Sequence, residues 1–103
     1  MMADLVEVCR VDELPPGEMQ AVEVAGERIL VANLEGALYA INAICTHADA
    51  ELDDGYIEDD TVVCPIHFSC FSLRTGEVVD GPAEEPVSTY PVEVKDGVIY
   101  VQL

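Results

Sequence analysis

The sequence predicts an all-β fold, an antiparallel base of strands drawn from both ends of the chain with a small subdomain inserted between them. Three observations carry this. Apolar residues alternate or cluster in short runs, with little helical periodicity. Turn residues punctuate those runs at short intervals. The middle of the chain differs from its ends in being loop-rich and acidic.

Taken in order, Leu5 to Val11 alternates as a strand, and Leu14-Pro15-Pro16-Gly17 ends it, because tandem prolines cannot continue a ladder. Met19 to Ala25 and Arg28 to Leu34 are apolar runs joined through Gly26-Glu27. Glu35-Gly36 then turns into Ala37 to Ile41, completing a three-stranded meander. At the other end, Val87 to Val94 and Val98 to Val101 flank Lys95-Asp96-Gly97, and Asp-Gly between β-rich runs signals a hairpin. Between these lies the segment from about Ile44 to Pro82. It carries acidic stretches at Glu51 to Gly55 and Glu58 to Asp60, a short run Thr61-Val62-Val63, and Phe68 to Leu73 leading to a turn at Arg74-Thr75-Gly76. The expected organisation is one domain over 1–103, with base strands about 1–43 and 83–103 and a subdomain about 44–82.

The 103 residues hold 21 Asp and Glu against 4 Lys and Arg, a formal net charge of −17. Repulsion excludes nucleic acid and anionic membrane surfaces as partners. The same field favours fast, salt-sensitive encounters with basic patches on other proteins. No apolar run approaches the length of about 18 residues that a membrane-spanning helix needs. Met1-Met2-Ala3-Asp4 lacks the basic and apolar regions of a signal peptide, so a cytoplasmic location is expected.

Two short runs carry the chemistry: Cys45-Thr46-His47 and, after sixteen residues, Cys64-Pro65-Ile66-His67. These contain the only two histidines of the chain. Two Cys and two His can hold zinc, but zinc sites pair cysteine with cysteine and histidine with histidine at short spacing. Here each run offers one ligand of each kind. That suits a cluster whose two irons differ, one held by thiolates and one by imidazoles. Cys9 falls in an alternating segment and reads as a strand residue; Cys70 lies three residues beyond His67. A Cys9–Cys70 disulfide is left open by the spacing, although a reducing compartment argues against it.

The pattern resembles the Rieske cluster-binding motif, and the likeness to Rieske ferredoxins extends over nearly the whole chain. Cys64 to Glu77 is similar to the family's second ligand loop and following hairpin, and Asp80-Gly81-Pro82-Ala83 to its proline-containing third loop. The resemblance implies a Rieske-type antiparallel β-sandwich with a cluster-binding subdomain, holding one [2Fe–2S] cluster. It implies Cys45 and Cys64 on the inner iron and His47 and His67 on the outer one. Ile66, Phe68 and Pro82 then rim the electron exit tip or pack the loops against each other, and Ser69, where such proteins have a serine that donates to a cluster sulfur, either does so or caps a backbone group of the loop. The length is similar to that of ferredoxin components of aromatic ring-hydroxylating dioxygenases. The implied partners are a flavoprotein reductase that uses NADH or NADPH and a terminal Rieske oxygenase, the ferredoxin itself being a monomer.

Departures from other branches narrow this. High-potential Rieske proteins carry an extra disulfide between the ligand loops, and the matching positions here are Ala50 and Ile66. Phe71 replaces a sulfur-bonding tyrosine, which places the expected potential toward the lower end of the span of roughly −150 to +300 mV. With both histidines committed to the cluster, no catalytic triad or mononuclear iron site can be built, so no catalytic residue is assigned. The competing readings are the small Rieske subunit of a nitrite-reductase-like complex, and a structural or redox-sensing metal protein.

Overall fold

The computed structural model describes residues 5–24, 26–46, 50–66, 68–81 and 83–103. Eleven strands run in order: β1 Leu5–Arg10, β2 Met19–Val24, β3 Glu27–Leu34, β4 Ala37–Asn42, β5 Tyr56–Glu58 and β6 Thr61–Val63, then β7 Cys70–Ser72, β8 Val78–Asp80, β9 Thr89–Tyr90, β10 Val92–Lys95 and β11 Val98–Gln102. They form three antiparallel sheets, ordered β1-β11-β10, β2-β3-β4-β9 and β5-β6-β7-β8. The all-β expectation holds.

The second sheet lies at the centre, and β3 explains why. Its run Ile29-Leu30-Val31-Ala32 is buried on both faces, which is why it reads as a continuous apolar stretch and not as an alternation. Ile29 and Val31 pack with Cys9, Leu14, Ala40, Ile99 and Val101 against the first sheet. Leu30, Ala32 and Ile41 pack with Leu52, Val62, Phe71 and Leu73 against the third. The protein therefore has two cores, separated by one strand layer. The second of them supports the candidate site.

The turns follow the residues that mark them. Glu35-Gly36 and Asp96-Gly97 each take positive φ at both positions (53° and 100°, 51° and 77°), the geometry that matches the twist of a tight hairpin. Leu34 then faces Ala37, and Lys95 faces Val98.

Three details differ from the sequence reading. The first strand stops at Arg10, because Val11–Glu13 turns into a 3₁₀ segment in which the Glu13 carboxylate accepts from the Arg10 amide at 2.8 Å. The apolar run from Val87 splits at Pro91: Thr89–Tyr90 pairs with β4, whereas Val92–Lys95 pairs with β11 in another sheet. Proline supplies no ladder donor, so the chain changes sheets there. Tyr56–Glu58, which had no strand signal of its own, is β5. Cys9 and Cys70 are free thiols, which settles the disulfide alternative.

The third sheet is tied to the central one through side chains. The Arg28 guanidinium at the start of β3 reaches Asp53 at 2.9 Å and Glu51 at 3.3 Å. Arg74, beyond β7, donates to the Tyr39 hydroxyl of β4 at 2.7 Å, and its Cζ lies 5.3 Å from that ring's centroid. Arg74 also pairs with Asp60 at 3.3 Å, and Arg10 and Lys95 have a carboxylate at 3.6 Å. All four cations of the chain are therefore matched internally, and the uncompensated surface charge is negative.

Candidate metal centre

Two loops with the same closure face the second core. In the first, the Cys45 amide donates to the Ala50 carbonyl at 2.9 Å and the Leu52 amide to the Ala43 carbonyl at 2.7 Å, the two bonds of an isolated Ile44–Glu51 bridge. In the second, the Cys64 amide donates to the Ser69 carbonyl at 2.7 Å, where β6 passes into β7. Each loop opens with a cysteine and closes five residues later. The sequence spacing of the two runs differs by one residue, yet in each the cysteine amide reaches the carbonyl five positions on.

Both cysteines end in the same core. Cys45 is 2% exposed and Cys64 fully buried, packed among Leu52, Val62, Phe71 and Leu73. The two thiols are close enough to interact. Burial pushes the Cys64 thiol up, the Ile66 amide facing its sulfur holds it down in part, and the neighbouring Cys45 pushes it up further. Two adjacent buried thiols are well placed as soft metal ligands, with metal binding displacing their protons. The donor set fits one iron of a cluster. His47, His67 and Pro82 lie outside the described residues.

The remaining predicted positions divide cleanly. Ile66 and Phe68 are exposed, at 45% and 65%, on the outer side of the second loop. Phe68 also sits at φ 57°, a left-handed conformation that is costly for an aromatic residue. Ser69 is fully buried, and its Oγ accepts from the Ala83 amide at 3.1 Å. Among the described residues no acceptor is recorded for its own hydroxyl proton. Cys70 follows on β7, paired with Asp80; burial raises its thiol pKa first, and the Asp80 and Glu58 carboxylates raise it further.

Sequence reasoning assigned no role to Thr46 or to Gly81. Thr46 Oγ1 donates to the Glu85 carbonyl at 2.6 Å, and a side chain at Gly81 would strike the second loop. The glycine had a signal in Asp80-Gly81-Pro82, a turn sequence that packs closely; the threonine had none.

Three stacked antiparallel sheets with two buried cysteines on matched loops define a small all-β iron–sulfur domain. A model of the Rieske [2Fe–2S] domain matches residues 4–91, and the chain belongs to that family. It is 44% identical, over 91% of its length and 90% of the relative's, to the 3-phenylpropionate/cinnamic acid dioxygenase ferredoxin subunit of Photorhabdus laumondii. The ferredoxin of carbazole 1,9a-dioxygenase from Nocardioides aromaticivorans superposes with a TM-score of 0.90 at 35% identity, covering 94% of this chain and 95% of that one. A chain from the complex of reduced oxygenase and oxidised ferredoxin in carbazole 1,9a-dioxygenase superposes with a TM-score of 0.92 at 31% identity, covering 95% and 92%. The chain is thus of the electron-transfer type and not an oxygenase, and its cofactor is a Rieske-type [2Fe–2S] cluster. No helix among the described residues is long and apolar enough to cross a membrane.

Proposed function

We propose that this protein carries single electrons from a flavoprotein reductase to the terminal Rieske oxygenase of an aromatic ring-hydroxylating dioxygenase. In this reading Cys45 and Cys64 hold the inner iron of the cluster, and His47 and His67 hold the outer iron. Residues about 44–82 form the cluster-binding subdomain on a base of 1–43 and 83–103. The observation that supports it best is the pair of matched loops delivering two buried, interacting cysteines to one core.

When bound, the cluster supplies a one-electron store. The chain's own residues do the rest. Leu52, Val62, Phe71 and Leu73 exclude water from the thiolates, which holds the ligands in a low-dielectric setting. Ile66 and Phe68 present exposed apolar side chains that a partner can cover, shortening the transfer path by expelling solvent. The uncompensated acidic surface steers them toward a basic partner face.

The test is the visible and low-temperature EPR spectrum of the anaerobically purified protein, oxidised and dithionite-reduced. A brown protein with a reduced-state signal of mixed histidine and cysteine ligation is expected. It should pass electrons to a dioxygenase of the relatives' type when supplied with reductase and NADH or NADPH. A colourless protein holding one zinc ion would replace this reading with a structural metal site.

A further inference from the structure

Gly81, Ala83 and Glu85 touch both candidate ligand loops without belonging to either. On one side, Thr46 lies between Cys45 and His47 in sequence, and its Oγ1 donates to the Glu85 carbonyl at 2.6 Å across 39 positions. On the other, the Ala83 amide donates to the buried Ser69 Oγ at 3.1 Å across 14 positions. Gly81 backs directly onto the same loop: a Cβ there would stand 2.6 Å from Ser69 Cα and 3.1 Å from the Phe68 carbonyl oxygen. None of these contacts is a local turn.

The two loops depend on this segment unequally. The second loop has sheet on both sides, since it joins β6 to β7 in register. The first follows β4 and is closed by a single isolated bridge, Ile44–Glu51, through its Cys45–Ala50 and Leu52–Ala43 bonds. Arg28 anchors the segment just beyond it at Glu51 and Asp53, while among the described residues within Cys45–Ala50 only Thr46 makes a side-chain hydrogen bond that leaves the loop. The loop with less sheet support therefore depends more on the tie.

We propose that Thr46 is a positioning residue: its bond to the Glu85 carbonyl clamps the first ligand loop to a strap, formed by Gly81, Ala83 and Glu85, that Ser69 clamps to the second, so the two loops keep a fixed separation. The strap lends no ligand of its own. This rests on the ligand assignment proposed above.

The test compares the holoprotein with Thr46→Val, which keeps the branched shape and loses the donor, and Thr46→Ser, which keeps the donor. Two quantities are read: the rate at which the visible cluster absorbance decays in excess chelator, and amide hydrogen exchange over residues 83–87. Thr46→Val should lose its cluster roughly three- to tenfold faster, the worth of one hydrogen bond, with faster exchange over 83–87. Thr46→Ser should stay near the unaltered protein in both. Equal behaviour of Thr46→Val and the unaltered protein overturns the clamp. So does Thr46→Ser failing as badly as Thr46→Val, which would assign the effect to the methyl group. If Thr46→Val takes up no cluster, exchange in the two cluster-free proteins decides: faster exchange in the variant supports the strap, equal exchange overturns it. An unaltered protein without any cluster spectrum would instead sink the ligand assignment, and the exchange comparison would still settle the tie.

Discussion

Gly81 lies so close to Ser69 that a Cβ on the glycine would come within 2.6 Å of the serine Cα. Its φ of +99° adds a second demand, because side chains rarely tolerate that conformation. Gly36 separates the two effects, having φ +100° and no atom within 4 Å of such a Cβ. Gly36→Ala should therefore cost about 1 kcal/mol, the conformational term alone. Gly81→Ala should cost about 2–4 kcal/mol, since backbone must also move. Urea unfolding of the two variants measures the difference, and equal losses would mean that the strap does not press on the second loop.

The four cysteines should behave in two pairs. Replacing Cys45 or Cys64 by Ser removes a thiolate from the buried pair, and iron content with visible absorbance should fall to background. Cys9→Ala and Cys70→Ala should keep the colour. Cys9 is buried between the first two sheets, so its loss should cost about 1–2 kcal/mol of stability with the spectrum intact. Colour surviving in Cys64→Ser would refute the assignment of the inner iron.

Much of this architecture was legible because local chemistry and tertiary context agree. Asp96-Gly97 and Glu35-Gly36 specify their own turns, and the meander from Met19 to Ile41 follows. Cys45 and Cys64 were legible as a pair from residue type and spacing, and the structure brings both into one core. Three features were not. Tyr56–Glu58 is a strand only because β6 pairs with it, and three residues carry no period. The change of sheet at Pro91 depends on which edge is free on either side. Thr46 acts through a carbonyl 39 positions away, and no local pattern encodes such a contact.

Arg28 should matter more to stability than its place among four cations implies. It bridges β3 to both Glu51 and Asp53 beside the first ligand loop, with Asp53 only 16% exposed. Its guanidinium pKa is raised, first by the hydrogen bond to Asp53, so it stays charged throughout the working range. Arg28→Met should lower the unfolding midpoint clearly more than Arg10→Met, whose partner Asp12 is 78% exposed. The gap should narrow in high salt. Equal midpoints would show that the bridge to the loop contributes nothing.

Electron delivery should depend steeply on ionic strength. The net charge is −17, and all four cations are already matched within the chain, so a basic partner meets an almost purely negative surface. Raising the salt to about 0.1 M contracts the screening length to about 10 Å. The second-order rate of oxygenase reduction should then fall several-fold, with the first-order transfer within the complex unchanged. A salt-independent association rate would assign the acidity to solubility alone.

Ser69 offers the most direct link between packing and potential. Its Oγ accepts from the Ala83 amide at 3.1 Å, which leaves the hydroxyl proton to be donated, in the proposed reading to a cluster sulfur. Ser69→Ala removes both bonds at once. The buried Ala83 N–H loses its acceptor, at a cost of about 1–3 kcal/mol. Loss of a donor to sulfur disfavours the reduced, more negative cluster, so the midpoint potential should fall. The two readouts are independent. A lower potential with lower stability is the expected pair, whereas lower stability at an unchanged potential would confine Ser69 to anchoring the strap.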